Sequence, residues 1–301
     1  MLFLFLISIL LFVPSLSSSP IPTRSEHELS LLYEGWLIKH NKSYKDSLEK
    51  EKRYTIFKDN LKYIDEHNAG NHTYSLGLNV FADLTVEEYR ATYLRTMPPK
   101  EWKQGGNESD SYNLDEISGV APDSIDWRDM GAIGPVRNQG GCFSCWAFAV
   151  LTTVEAINQI VTGDLQNTKV VSIDGYMSVR RSNEYQLMMA VANQPVAAAV
   201  EGYGQNFQLY TGGIFTQYCG TKVDHAVAII GYGTKGGQDY WIIRNSWSDA
   251  WGESGYMRLE RNINSQGGKC GIAQWPYYPI KYKNMTSKLR GVKTPATTYL
   301  S

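Results

Sequence analysis

Histidine is scarce in this chain of 301 residues. There are five, and only His225 lies beyond residue 120. Cysteine is equally thin: Cys142, Cys145, Cys219 and Cys270 are the full set. A single Cys-x-x-C with no second ligand pair argues against a structural zinc site. The net charge is −1, so nothing calls for a nucleic-acid or acidic-membrane partner. No internal repeat is present. Residues 1–13 form an apolar run too short to span a bilayer. With Pro14 and the serines that follow, it suits a signal peptide over 1–19, although the usual positive start is missing. A buried core helix is the alternative.

Aromatic residues make up 12%, enough for a packed core and against wholesale disorder. Four sequons, at Asn41, Asn71, Asn107 and Asn284, fit passage through the secretory pathway. An oxidising compartment permits disulfides among the cysteines.

Residues 26–95 read as helical and polar. From Glu26 to His40, Leu29, Leu32, Trp36 and Leu37 recur at helical spacing. A second helix is expected from about Leu48 to Asn68, with Glu49 and Arg53 as an i, i+4 pair. Tyr74 to Phe81 alternates like a strand. Residues 96–119 are rich in Pro, Gly, Ser and acid, and read as an exposed linker open to proteolysis. A helix after Cys145 is expected to stop at Gly163. Asn183–Ala192 reads as a short helix. Val196–Val200, Ala226–Gly231, Tyr240–Ile243 and Gly255–Leu259 read as strands. Helix first and sheet after suggests two sub-domains with a cleft between them. Residues 282–301, basic and without acids, read as a tail.

Cys145 is placed where a glycine-rich loop enters an apolar helix. There the helix dipole and unpaired N–H groups favour a thiolate. On its own, a cysteine is more often a small buried hydrophobe or half of a disulfide. Gln139, six residues earlier, could donate its amide to a developing oxyanion beside the Cys145 N–H. His225 opens an apolar strand and is the available imidazole; a structural histidine is the alternative. The Asn245 amide oxygen could accept the other ring N–H of His225, and Trp247 could shield that bond. Otherwise Asn245 is a turn residue and Trp247 is core.

With these residues in view, the chain resembles a plant-type papain-like cysteine protease. Its signature is Cys-Gly-Ser/Ala-Cys-Trp/Tyr with His and Asn far downstream. The resemblance covers most of residues 26–281. Glu49, Arg53, Phe57, Asn60, Ile64 and Asn68 match the helix motif of the inhibitory prodomain, and Gly77, Asn79, Phe81 and Asp83 match its second motif. Asp126-Trp127-Arg128, Gln139, Cys145–Phe148, Asp224–Ala226, Asn245–Trp247, Trp251–Tyr256 and Cys270–Ala273 follow in order.

The resemblance implies an α+β fold: a helical inhibitory prodomain (26–95), the linker, then a two-lobed peptidase domain (120–281). That domain would have a truncated helical lobe and a β-barrel-like lobe, with the active site between them. It implies Cys145 as nucleophile, His225 as base and acid, Asn245 as orienter and Gln139 in the oxyanion hole. It also implies a Cys219–Cys270 disulfide, a substrate pocket at Ala199, Ala226 and Trp275, and activation cleavage near Gly119–Ala121. The prodomain is expected to lie backwards across the cleft as an intramolecular inhibitor. No cofactor or metal is expected. Partners are protein or peptide substrates, with no nucleic acid or membrane, and the chain is expected to be monomeric. The compartment is the secretory pathway, ending in the vacuole or lysosome or outside the cell.

The chain also departs from that pattern. The signature places His and Asn about 130–150 residues after the nucleophile; here they follow by 80 and 100. Roughly 50–60 residues are missing by that spacing. Thr162–Leu165 and Val170–Tyr176 match well-separated points of the pattern, joined only by Gln166 to Lys169. The resemblance assigns to the lost piece the partner of Cys142, so Cys142 is expected to be unpaired. A Cys142–Cys145 bridge could then silence the nucleophile. Phe143 replaces a glycine, and Trp275 is expected to make the pocket shallow. A second reading is a defective truncated homologue whose prodomain inhibits related proteases.

Overall fold

The computed structural model describes residues 22–94, 121–163 and 171–282. The expected signal peptide, the linker, Asn107, Asn284 and the tail beyond Tyr282 lie outside them.

A capping box starts the first helix. The Ser25 hydroxyl accepts the Glu28 N–H, and the Glu28 carboxylate accepts the Ser25 N–H. That helix, α1, spans Glu26–Lys39, and α2 spans Ser47–Asn68 behind an Asp46 cap. Their seam buries Tyr33, Trp36 and Leu37 against Phe57 and Leu61. The leucine pattern pointed Leu32 inward, yet Leu32 is exposed and Tyr33 is buried. Tyr33 packs its ring against Tyr54 at 4.9 Å and Phe57 at 5.1 Å. A ring buries more area than a leucine, so it sets the rotation of the helix.

Glu49, Arg53, Phe57, Asn60, Ile64 and Asn68 recur every three or four residues and share one face of α2. That face fastens the segment that follows. Arg53 donates to the Asp83 carbonyl at 3.0 Å. Asn60 donates to the carbonyls of Ala82 and Leu84 at 2.8 and 3.0 Å. Asn68 donates to the Leu76 carbonyl at 2.8 Å and accepts its N–H at 3.1 Å. The strand expected over Tyr74–Phe81 is confined to Tyr74–Leu76 (β1). The Asn79 side chain accepts the Phe81 N–H at 3.0 Å and turns the chain. A second capping box, Thr85 with Glu88, starts α3 (Val86–Tyr93).

Helix α4 covers Cys145–Thr162 and ends at Gly163, whose left-handed φ of 75° suits a glycine stop. The remaining strands are β2 (Ile125–Asp126), β3 (Gly175–Ser178), β4 (Val196–Val200), β5 (Tyr210–Phe215), β6 (His225–Lys235), β7 (Gln238–Arg244), β8 (Tyr256–Glu260) and β9 (Tyr277–Ile280). Helices α5 (Glu184–Asn193) and α6 (Gln205–Gln208) flank β4 in the chain. The nine strands among the described residues join in one sheet of order β1-β5-β8-β7-β6-β4-β9-β3, with β2 on β6. Strands β2, β3, β5 and β9 were not read from the sequence. β2, β3 and β9 are short, and β5 contains a Gly-Gly pair that breaks the alternation.

The N-terminal segment adds β1 to this sheet, antiparallel to β5, with Tyr74 opposite Gly213. Only glycine fits there: a Cβ on Gly213 would stand 2.4 Å from the Thr73 carbonyl oxygen, and its φ is 92°. The Cys219–Cys270 disulfide is formed.

Helix α4 packs on β4, β6 and β9. It buries Ala149, Ala156, Ile157 and Val161. Its other flank exposes Trp146 at 48% and Val150 at 42%. Among the described residues α4 is the one helix long and apolar enough to cross a membrane, and its packing against three strands places it in a core instead.

Candidate active site

Residues 137–139 run antiparallel to 246–248. Gln139 N–H donates to the Ser246 carbonyl at 2.8 Å, and Ser248 N–H to the Arg137 carbonyl at 3.1 Å. This pairing carries Gln139 beside Asn245 and leads the chain into α4, whose first residue is Cys145. The N-cap Ser144 makes no capping bond, so the first-turn N–H groups keep their capacity for negative charge.

Cys145 is 1% exposed, packed with Ala149, Ala226 and Ala197. Burial pushes its thiol up; the N–H groups of Ala226, Trp146 and Cys145 itself pull the other way and do not win. Desolvation of the buried sulfur thus opposes the thiolate expected from helix position.

His225 is fully buried at the start of β6, opposite Val200 of β4. Its Nε2 lies 2.7 Å from Asn245 Oδ1. That oxygen also accepts the Ser246 N–H at 2.7 Å, which fixes it as the acceptor. Nε2 must then carry the proton, and Nδ1 keeps a lone pair. Nδ1 has no hydrogen-bond partner, Cys145 included. The Ala226 N–H, one residue on, reaches the Cys145 sulfur. Burial holds the imidazole down to about 4, against a smaller upward pull from Asn245. The ring stacks on Trp247, centroids 4.4 Å apart. Asp224, one residue before, accepts the Gly202 N–H at 2.7 Å, and burial pushes its carboxyl up to about 6.

Gln139 is held at both ends of its amide. Its Oε1 accepts the Ser246 hydroxyl at 2.6 Å, and its Nε2 donates to the Tyr93 carbonyl at 3.3 Å. Tyr93 belongs to the N-terminal segment. From the same segment, Phe81 and Tyr89 meet Trp247 edge-on at 5.2 and 5.5 Å. The Tyr89 hydroxyl donates to the Gly202 carbonyl at 3.0 Å. Tyr89, Tyr93 and Ser246 were not picked out from the sequence as site residues. Only the capping box before α3 could have signalled that a helix delivers Tyr89 and Tyr93.

Ala199 and Ala226 face each other across β4 and β6, and with Trp275 they line one cavity of about 400 Å³. Trp146, Ala149 and Val150 of α4 line it too. Trp275, expected to make the pocket shallow, lines this cavity. The Arg181 guanidinium lies 3.7 Å above the Trp275 ring, and the cavity remains open beside it. Cys142 is exposed and free, with its sulfur 2.7 Å from the Ser144 hydroxyl, and Cys145 is free as well. No Cys142–Cys145 bridge is formed. Phe143 sits at φ 56°, a left-handed conformation that suits the glycine it replaces. Asn41 and Asn71 are exposed. No group of metal-ligating side chains occurs among the described residues.

Residues 33–89 match the cathepsin propeptide inhibitor domain (I29), and residues 121–168 and 162–280 match the papain family cysteine protease domain. The probable cysteine protease RD21C of Arabidopsis thaliana is 42% identical over 338 residues, covering 92% of this chain and 74% of the relative. That alignment is longer than this chain, so the relative carries residues that have no counterpart here. The oryzain beta chain of Oryza sativa subsp. japonica is 40% identical over 319 residues, covering 85% of this chain and 68% of its own length. Among solved structures, a recombinant stem bromelain precursor superposes with a TM-score of 0.76 at 34% identity, covering 84% of this chain and 99% of its own. The proform of the ragweed pollen protease Amb a 11 gives a TM-score of 0.78 at 30% identity, covering 86% of this chain and 97% of its own. The chain belongs to the papain family of cysteine proteases and carries the I29 propeptide with which such a protease is made as a zymogen.

Proposed function

We propose that this chain hydrolyses peptide bonds through a thioester on Cys145, with His225, Asn245 and Gln139 as its partners. The observation that carries this is the bonding of His225. Asn245 holds the proton on Nε2, which leaves the Nδ1 lone pair for the Cys145 thiol. Nδ1 takes the thiol proton as sulfur attacks the carbonyl carbon. The resulting oxyanion is met by the Gln139 amide and the Cys145 N–H. The imidazolium returns its proton to the leaving amine, and the C–N bond breaks to leave the thioester. Water, deprotonated by the same nitrogen, then releases the acid and restores the thiol.

The zymogen state follows from the same geometry. The Tyr93 carbonyl takes the amide hydrogen that the oxyanion needs, and thiol and imidazole are both neutral. We assign residues 1–19 to a signal peptide, 26–95 to the prodomain, 96–119 to the activation linker and 120–281 to the peptidase. The bond cleaved lies near Gly119–Ala121. We place the protein in the secretory pathway, ending in the vacuole or lysosome or outside the cell, as a monomer acting on protein or peptide substrates. Ala199, Ala226 and Trp275 receive a substrate side chain.

Hydrolysis of a peptide amide by the acid-matured chain tests this reading. Cys145→Ala is expected to abolish turnover, and Gln139→Ala to lower kcat by roughly 10²–10³. Turnover that survives Cys145→Ala would assign the activity elsewhere.

A further inference from the structure

Arg181 takes no part in the reaction just described, yet it stands beside the cavity that receives a side chain. Its guanidinium carbon lies 3.7 Å from the centroid of the Trp275 ring. Among the described residues no carboxylate pairs with Arg181, so its flat face is given to the ring. The backbone puts it there. Strands β3 and β9 pair as far as Ser178 and Tyr277. Beyond them the Val179 N–H donates to the Pro276 carbonyl at 3.0 Å, and the Ser182 N–H to the Ala273 carbonyl at 2.8 Å. These two bonds bracket Arg181 on one segment and Trp275 on the other. Ser182, at φ 57°, then turns the chain towards α5. Ala273 is fully buried, so the segment that carries Trp275 is anchored in the core.

The ring itself has no such anchor. Trp241 and Trp251 fix their indoles by hydrogen bonds, to Glu184 at 2.9 Å and to the Gln208 carbonyl at 3.1 Å. Trp275 makes no hydrogen bond among the described residues. It lines the cavity of about 400 Å³ together with Ala197, Ala199 and Ala226, whose small side chains leave the space open. An apolar ring gains by entering apolar space, so an unrestrained indole would fill part of that cavity. We propose that Arg181 is a positioning residue for substrate selection: its stack holds Trp275 at the wall and keeps the cavity deep enough for a bulky apolar side chain. The proposal rests on reading this cavity as the receiver of a substrate side chain, and names what sets its size. Arginine suits the task because its guanidinium is planar, permanently charged and weakly hydrated, so it stacks on a ring more fully than lysine does.

Two measurements test this, one with turnover and one without. In the first, the acid-matured chain is assayed on peptide amides that exchange phenylalanine for alanine at each position before the cleaved bond in turn. Arg181→Ala is expected to lower the largest phenylalanine-to-alanine ratio of kcat/KM by roughly threefold to tenfold, the size of a cation–ring contact, with the alanine substrates unchanged. Arg181→Lys, which keeps the charge and loses the flat face, is expected to fall between the two. An unchanged ratio in Arg181→Ala, or an equal loss on every substrate, overturns the proposal.

The second measurement is fluorine NMR of the full-length Cys145→Ala chain carrying fluorinated tryptophan. The Trp275 resonance, identified by its loss in Trp275→Phe, is expected to be one narrow line. Arg181→Ala is expected to shift and broaden that line while the lines of Trp241, Trp247 and Trp251 stay in place. A Trp275 line that ignores the substitution, or a change shared by every line, overturns the proposal whether or not the chain turns over. Failure of the protease reading shows separately, as absence of turnover in the chain that retains both Cys145 and Arg181.

Discussion

Two tryptophans adjoin the Cys145–His225 cluster, and their surroundings differ. Trp247 stacks on His225 and is 1% exposed, ringed by Phe81, Tyr89, Phe207 and Trp251. Trp146 follows Cys145 and is 48% exposed, at the lip of a cavity of about 400 Å³. The β-rich half and the prodomain complete the first environment. The second is lined by residues of α4, β3, β4, β6 and β9. The parts of the site that manage protons come from β6, the β7–β8 connection and the loop before α4, so they survive the gap.

This contrast can be broken or sharpened by substitution. The largest effect is expected on the Trp247 side. Tyr89→Ala removes a fully buried ring and is expected to weaken prodomain docking by about 3–5 kcal/mol. Tyr89→Phe, losing only the bond to Gly202, is expected to cost about 1 kcal/mol. Denaturant titrations of the Cys145→Ala chain, followed by tryptophan emission, measure both.

Within α4 the two flanks are expected to diverge. Ile157→Ala on the buried flank is expected to cost about 2–5 kcal/mol. Val150→Ala on the bare flank is expected to stay within about 0.5 kcal/mol. Equal costs in thermal melts would mean that something covers the bare flank.

His225 gives a pH signature of its dry surroundings. Its folded value of about 4 lies below the free value, so it supports folding above about 6.5 and loses that support as pH falls towards 4. The loss is on the order of 3 kcal/mol. An NMR titration of the His225 ring in the zymogen is expected to show an apparent pKa well below 6.5, and an ordinary value would mean that water reaches it.

A modest effect is expected at Phe143. Its left-handed backbone costs about 1 kcal/mol that glycine does not incur, so Phe143→Gly is expected to raise stability by that amount. A thermal melt of the zymogen tests it.

Much of this was legible in the sequence, for identifiable reasons. Helices α1, α2 and α4 follow from apolar spacing and caps, and Gly163 stops α4 because it alone tolerates that φ. Cys145, Gln139, His225 and Asn245 could be named from residue type and order. The contacts that join distant positions could not. The bond from Gln139 to Tyr93 spans 46 residues and uses a backbone carbonyl, which any residue supplies. Arg181 over Trp275 needed the fold to bring a helix-preceding loop to the chain after Cys270. The burial that opposes a Cys145 thiolate was also out of reach, because helix position is local, whereas burial is set by β4 and β6.

The most direct measurement is labelling of the acid-treated full-length chain with an epoxide or fluoromethyl ketone thiol probe, with peptide mapping of the modified residue and Cys145→Ala as control. A cluster assembled around His225 and Asn245 predicts label on Cys145, slower before acid treatment, and none in the control. Folded, soluble protein that stays unlabelled at Cys145 with or without mild reductant, or that labels only at Cys142, would contradict it.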